Sequence, residues 1–271
     1  MKSVDWRINS VVDCILQPCP HLPLTDSAMT QPVKFDFDDV VFFGRCINEY
    51  VAMFNLDLNT MRGLHVLDCS SGPAAFAMEA APLGIHVTAC DPLYVHDVAT
   101  LRTIVDDHSA IVYEKQKAAM SFFHPEVVTV PQRRKAMDTF LRDFVQGKLI
   151  GRYVPGVLPN LPFASNQFDT TLCANLLFLY SDIASGGMLQ NSTMDYNFHF
   201  KATHELLRVT KKDVRIYPLQ GPNVSEHHYI PRIIKDLTDE GFKCELVPVT
   251  QKDIIGAEKM LQISRPGNPQ A

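Results

Sequence analysis

The stretch from Gly63 to Tyr94, GLHVLDCSSGPAAFAMEAAPLGIHVTACDPLY, restricts the fold more than any other, because it reads as strand, tight turn, helix and strand in succession. Leu64 to Leu67 is a short apolar run closed by an acid, Asp68. Cys69-Ser70-Ser71-Gly72-Pro73-Ala74-Ala75 is a run of small residues, which lets backbone come close to a ligand. Ala74 to Leu83 supplies strong helix formers after Pro73, and Gly84 falls where a helix stop is expected. The second strand is expected from Ile85 to Cys90 and ends in Asp91. That acid follows the turn by about 20 residues, the spacing at which a carboxylate reaches ribose hydroxyls in nucleotide-binding βαβ units. The plainer alternative is an α/β unit with no ligand at all.

Two kinds of nucleotide cofactor compete for such a unit. A dinucleotide wants G-x-G-x-x-G so that a helix N-terminus can meet its pyrophosphate, and here Ser70, Gly72 and Ala74 largely fill those positions. An acid ending the first strand would repel a pyrophosphate, but it suits a ligand carrying an ammonium and a sulfonium. In VLDCSSGPAAF and VTACDPLY the chain resembles the class I S-adenosylmethionine-dependent methyltransferases. Their first motif is an acid followed by a small, Gly-rich turn, and their second is an acid ending strand two. Ser70 stands where that family usually has its first glycine. The resemblance implies S-adenosylmethionine as cofactor, contacted by Asp68, Cys69, Ser70, Gly72, Asp91 and Pro92, with Asp91 on the ribose.

Composition narrows the partners. A formal charge of −5 and a pI near 6.0 give no basic footprint, so a small-molecule substrate is expected rather than nucleic acid. No apolar stretch reaches the ~18 residues a membrane helix needs, and MKSVDWRINS lacks the layout of a secretory signal, so the expected location is cytoplasmic. The cysteines (Cys14, Cys19, Cys46, Cys69, Cys90, Cys173, Cys244) show no C-x-x-C spacing and read as reduced thiols; no metal is expected.

Residues 1–33, rich in Pro, Ser and Thr, read as a flexible leader, and 34–271 as the cofactor-binding domain. Three-and-four apolar spacing through Val40, Val41, Ile47, Val51 and Phe54 predicts one helix over Asp36 to Leu56. By the resemblance, Phe42, Phe43 and Tyr50 on it would line the cofactor's methionine end. The connection after Asp91 is far longer than an α/β unit requires, which marks 95–150 as a helical insertion. Helices are expected at Val95 to Asp106, Ala110 to Phe123 and Arg133 to Gln146, forming a cap. Arg133, Arg134 and Lys135 could meet a substrate anion, or form a solvated face.

LPFASNQFD matches the family's Leu-Pro-Phe turn leading into a strand from Thr170 to Ala174. The resemblance then implies Leu158 and Pro159 near the adenine, and Asn175 and Leu176 near the transferred methyl. FKATHELLRVT and DVRIYPL match the next helix and strand. A helix over Tyr229 to Asp239 and strands over Phe242 to Val249 and Glu258 to Ser264 would close the sheet with an antiparallel pair.

The fold expected is α/β: a doubly wound, seven-stranded, mostly parallel sheet of the Rossmann-like methyltransferase type with a helical cap. Methyl transfer needs an aligned nucleophile and sometimes a base. His199 and Tyr196, after strand four, and His228, in SEHHY, are the candidates for that chemistry. The expected activity is methyl transfer to an O, N or S atom of a small molecule. The alternatives are a catalytically silent binder of the cofactor or its product, and an NAD-linked enzyme.

Overall fold

In a computed structural model, which describes residues 35–222, 226–251 and 253–265, the first apolar run is strand β1 (His65–Cys69), an interior strand of a seven-stranded sheet. The other strands are β2 (His86–Cys90), β3 (Tyr153–Val154), β4 (Phe168–Ala174), β5 (Thr210–Tyr217), β6 (Lys243–Pro248) and β7 (Lys259–Ser264). Their spatial order is β3-β2-β1-β4-β5-β7-β6. The first five strands pair in parallel, and β7 runs antiparallel between β5 and β6. This is the doubly wound, seven-stranded, mostly parallel sheet that the sequence predicts.

β1 and β4 are buried over nearly their whole length, as central parallel strands covered on both faces must be. The chain order reverses direction at β1, so the carboxyl ends of β1, β2 and β4 open onto a crevice where ligands bind in such sheets.

Helix α1 is shorter than the periodicity predicts. Only Ile47–Phe54 is helical, while residues 35–46 form an irregular strap. Two local causes stand out. Cys46 N donates to the Glu49 carboxylate at 3.1 Å, which fixes the helix start through a capping box. Ahead of it, Gly44 lies so close to the β1 turn that a Cβ there would sit 2.0 Å from Pro73 O. The strap is held by tertiary contact, including Ala75 N to Arg45 O at 2.9 Å, and this overrides its helical spacing.

Helix α2 (Phe76–Ala80) follows the turn and passes into a 3-10 turn, with Gly84 at φ 77 as the stop. The insertion holds two long helices, α3 (Val98–Ala118) and α4 (Val130–Leu149), rather than three. Asp107-His108-Ser109 does not break α3, because Leu101, Val105 and Val112 continue one buried stripe through it. α4 begins at Val130, ahead of the expected Arg133, through the Thr129–Gln132 capping box. Helices α5 (Tyr196–Val209) and α6 (Ile230–Asp239) cover the sheet near β5. The expected leader, with Cys14 and Cys19, lies outside the described residues. Among those described, no helix is long and apolar enough to cross a membrane.

Candidate active site

The β1 turn is built from unusual backbone. Ser70 adopts φ 59 and Gly72 φ 56, so the serine takes up a left-handed conformation that glycine adopts at less cost. Ser71 N donates to Cys90 O at 3.1 Å, which seats the turn against the end of β2. Asp91 completes the seat. Its Oδ2 accepts from Gly72 N at 3.0 Å and its Oδ1 from Leu93 N at 2.9 Å. Tyr94 clamps the far side, its hydroxyl donating to Gly72 O at 2.5 Å. Burial pushes the Asp91 carboxyl up to about 6, against the pull of these two amides.

Asp68 lies one layer deeper. It is fully buried, with Oδ2 accepting from Tyr50 OH at 2.8 Å and Ser71 Oγ at 2.6 Å, while its Oδ1 is buried without a partner. Burial raises it to about 7, and the charge of Asp91 adds to the rise. Asp68 and Cys69 are not in the wall of the site; Ser71 and Tyr50 are, and they carry the influence of Asp68 to the surface of the cavity.

That cavity has a volume of about 590 Å³, within the ~300–1,000 Å³ range of small-molecule sites. One lobe lies against the turn and is lined by Ser70, Gly72, Asp91, Pro92, Leu158, Asn175 and Leu176, all expected from the sequence. Asn175 stands at φ 54 just past β4, its amide donating to Tyr217 O at 2.7 Å. Pro159 is not in the wall, whereas Val157, two residues earlier, is. Phe42, Phe43 and Tyr50 line the cavity as expected, the first two from the strap rather than from a helix.

The second lobe is the part of this same cavity bordered by strap residues and by Ile104, His108, Val112 and Gln116 of α3. The strap is tied to the loop after β4 by Phe37 N to Met188 O at 2.9 Å and Gln190 N to Phe37 O at 2.8 Å. It is tied to α3 by Lys115, whose ammonium donates to Asp36 O at 2.5 Å, and by Phe42 N donating to His108 Nδ1 at 2.8 Å. The loop after α3 is joined to residues 253–255 by His124 N to Asp253 O and Ile255 N to Phe122 O, each at 3.0 Å.

The basic cluster Arg133-Arg134-Lys135 does not form an anion site. Arg133 reaches the wall, but its Nε meets Glu49 at 2.8 Å and its Nη2 meets Asp253 at 2.5 Å. Arg45 lies at 3.7 Å from each of the same two acids. Two cations and two carboxylates thus neutralise each other. Burial pushes Asp253 up, yet the two guanidiniums outweigh it and hold its carboxyl below the usual value. Arg134 pairs outward with Asp106 and Asp138.

The three residues expected to carry the chemistry stand outside the cavity. His199 is fully buried, with Nδ1 2.7 Å from Asp195 O and Nε2 2.9 Å from Leu177 O, and burial lowers its pKa. It fastens α5 to the loop after β4. Tyr196 donates to Asp236 at 2.5 Å and lies under the Arg232 guanidinium, 3.7 Å from the ring centre. His228 is exposed and its amide donates to Ser185 O at 3.0 Å. His227, its neighbour, is buried against Ser181, and burial takes it down to about 3.

Among the wall residues that the sequence reading passed over are Arg45, His108, Gln116, Tyr180 and Asp253. For α3 a signal existed: Ile104, His108, Val112 and Gln116 recur every fourth residue and form one stripe, all four in the wall.

No family model matches the chain. An uncharacterised protein of Methanocaldococcus jannaschii is 26% identical over 234 residues, covering 84% of this chain and 97% of that one. Among solved structures, the chain is similar to a putative S-adenosylmethionine-dependent methyltransferase of Methanococcus maripaludis (14% identity, 83% of this chain and 85% of that chain, TM-score 0.41). It is also similar to an S-adenosylmethionine-dependent methyltransferase of Aquifex aeolicus (13% identity, 76% and 83%, TM-score 0.36). A third is magnesium protoporphyrin IX methyltransferase of Synechocystis with bound S-adenosylmethionine (14% identity, 76% and 71%, TM-score 0.40).

Proposed function

We propose that the chain is an S-adenosylmethionine-dependent methyltransferase that acts on an O, N or S nucleophile of a small molecule. The observation that carries this reading is the turn between two buried acids. Asp91 borders the cavity, and Asp68 sits beneath Ser71 and Tyr50 with one oxygen unpartnered. A cavity flanked by acids, whose guanidiniums are already matched by Glu49 and Asp253, disfavours a pyrophosphate and suits a cationic ligand. This argues against the NAD-linked alternative.

The residues fit the cofactor by their chemistry. Each Asp91 oxygen accepts one backbone amide, and a carboxylate offers about four lone-pair sites, so acceptor capacity remains for ribose hydroxyls. Val157 and Leu158 supply apolar surface for a base, and the left-handed backbone at Ser70 and Gly72 lets the turn approach the ligand closely. Asn175 and Leu176, past β4, would border the methyl-bearing end. When bound, S-adenosylmethionine supplies an electrophilic methyl on a sulfonium. The chain's own part is to align the acceptor and keep water out of the second lobe.

Calorimetry with S-adenosylhomocysteine and with NAD tests the reading. Binding of the first but not the second is expected; the reverse overturns it. A second reading, binding without turnover, is favoured by one observation, namely that His199, Tyr196 and His228 all lie outside the cavity. Transfer of labelled methyl to any small molecule, with S-adenosylhomocysteine released in equal amount, would exclude it.

A further inference from the structure

The second lobe has a composition of its own. Phe35 and Phe37 of the strap and Phe123 of the cap line it, and Phe35 packs edge-on against both Phe37 and Phe123 at 5.1 and 5.0 Å. Aromatic edges and faces arranged this way favour another ring over a flexible chain. Its charge pattern is equally restrictive. Arg45 and Arg133 are matched by Glu49 and Asp253, and the acid at the mouth, Asp39, leaves a net negative rim. An anion would lose its water here without gaining an opposite charge, and a cation would find only Asp39, an exposed carboxylate whose attraction water screens.

His108 adds one directional contact. Its Nδ1 accepts the Phe42 amide at 2.8 Å, so that nitrogen carries the lone pair and the neutral ring carries its proton on Nε2. Burial holds the ring below its ordinary pKa, against the opposing pull of Asp39 and Asp107, which keeps it neutral at neutral pH. His108 therefore offers the lobe an N–H donor and no free base.

We infer that the acceptor is a neutral aromatic molecule whose ring fills the Phe-lined lobe and whose polar oxygen accepts a hydrogen bond from His108 Nε2. The inference rests on assigning the turn-side lobe to the cofactor. It names a specificity-determining residue on α3, within the insertion, and an acceptor class for the proposed reaction.

The test uses 2-naphthol as the probe, followed by its fluorescence on the full chain, with and without saturating S-adenosylhomocysteine. The comparators are 2-naphthoate (anion), 2-naphthylmethylammonium (cation), 2-decalol (saturated) and 2-methylnaphthalene (no oxygen). The neutral aromatic alcohol should bind at least about tenfold more tightly than either charged isostere, since an unpaired charge is costly to desolvate. It should also bind more tightly than 2-decalol. Equal or tighter binding of an ion, or of the saturated alcohol, overturns the inference.

His108→Asn keeps an acceptor for the Phe42 amide and removes only the outer N–H. It should weaken 2-naphthol about 2- to 12-fold, the usual worth of one neutral hydrogen bond, and leave 2-methylnaphthalene unchanged. His108→Leu should do the same if it folds. Unchanged 2-naphthol affinity in His108→Asn refutes the donor role. Failure of S-adenosylhomocysteine to bind while 2-naphthol still discriminates would instead strike the cofactor reading and spare the lobe's selectivity.

Discussion

Replacing Asp68 by Asn isolates the cost of the buried acid. Asp68 has no exposed surface, an unpartnered Oδ1, and a carboxyl raised from 3.8 to about 7. Its native pKa lies above the unfolded one, so the folded chain binds the extra proton between those values. The stabilisation is therefore fully present below 3.8 and is lost as pH rises through 7. At about 1.4 kcal/mol per pH unit, the ionised form costs on the order of 4 kcal/mol relative to the neutral one. Asn is neutral at every pH and still offers an oxygen to Tyr50 and Ser71. Its amide hydrogens, facing the partnerless side, cost about 1–3 kcal/mol. Asp68→Asn should thus stabilise the ligand-free chain at pH 8 by about 1–3 kcal/mol, the remainder of those two figures. That advantage should shrink by about 3 kcal/mol between pH 8 and pH 5, where the wild-type acid has taken up its proton. Urea unfolding of both proteins at the two pH values measures it directly. A stability difference that is the same at pH 5 and pH 8 would refute the assignment of a raised carboxyl at Asp68. In the same variant, affinity for S-adenosylmethionine should fall at pH 8, because the negative charge behind Ser71 and Tyr50 is gone.

Asp91→Ala should lower S-adenosylhomocysteine affinity about 10- to 150-fold in calorimetry, the loss expected for hydrogen bonds to a charged acceptor; wild-type affinity in the folded variant would end the ribose assignment. Asp91→Asn should also loosen the turn, since an amide nitrogen must then face either Gly72 N–H or Leu93 N–H, and faster proteolysis near residue 72 would report it. Tyr196→Phe and His228→Ala should leave methyl transfer unchanged, because neither side chain borders the cavity, and a large loss of rate in either would return it to the chemistry. Ser70→Gly should bind S-adenosylhomocysteine as the wild type does and alter stability by no more than about 1 kcal/mol, because glycine adopts φ 59 without strain but loses more entropy on folding.

The turn and its two acids were legible because local rules govern them. A strand ending in Asp68, a run of small residues and a second acid at Asp91 lie close in sequence, and the parallel register brings Cys69 beside Cys90 and Cys173 at the strand ends. Ser70, Gly72, Asp91 and Pro92 could therefore be placed at the cavity from the sequence, whereas Asp68 and Cys69 stand behind its wall. The strap could not, because Val40, Val41 and Ile47 carry helical spacing while Gly44 is pressed against Pro73, and no local pattern reports a contact across that distance in the chain. That His199, Tyr196 and His228 do not border the cavity was hidden for a related reason. A histidine in an apolar helix reads the same whether it faces a ligand or a carbonyl, and only the fold puts Leu177 O against His199. His108 was missed although the four-residue stripe of α3 was visible, because an insertion offers no sheet edge from which to tell inward from outward.

The buried Arg133–Glu49–Asp253 group explains how the insertion comes to sit over the site at all. Arg133 belongs to α4, Glu49 to α1 and Asp253 to the loop before β7, so one guanidinium joins three segments distant in sequence. Its worth to stability is small, because removing such charges from water offsets most of their attraction. Its geometry is selective, since two carboxylates 2.8 and 2.5 Å from one fork fix where α4 lies relative to α1. Tyr50, next to Glu49, holds Asp68 on one side and borders the cavity on the other. The position of the cap and the position of the buried acid are therefore set by the same short helix. A displacement of α1 would therefore disturb both the Arg133 group and the Tyr50–Asp68 hydrogen bond beneath the β1 turn, which couples the cap to the turn through packing.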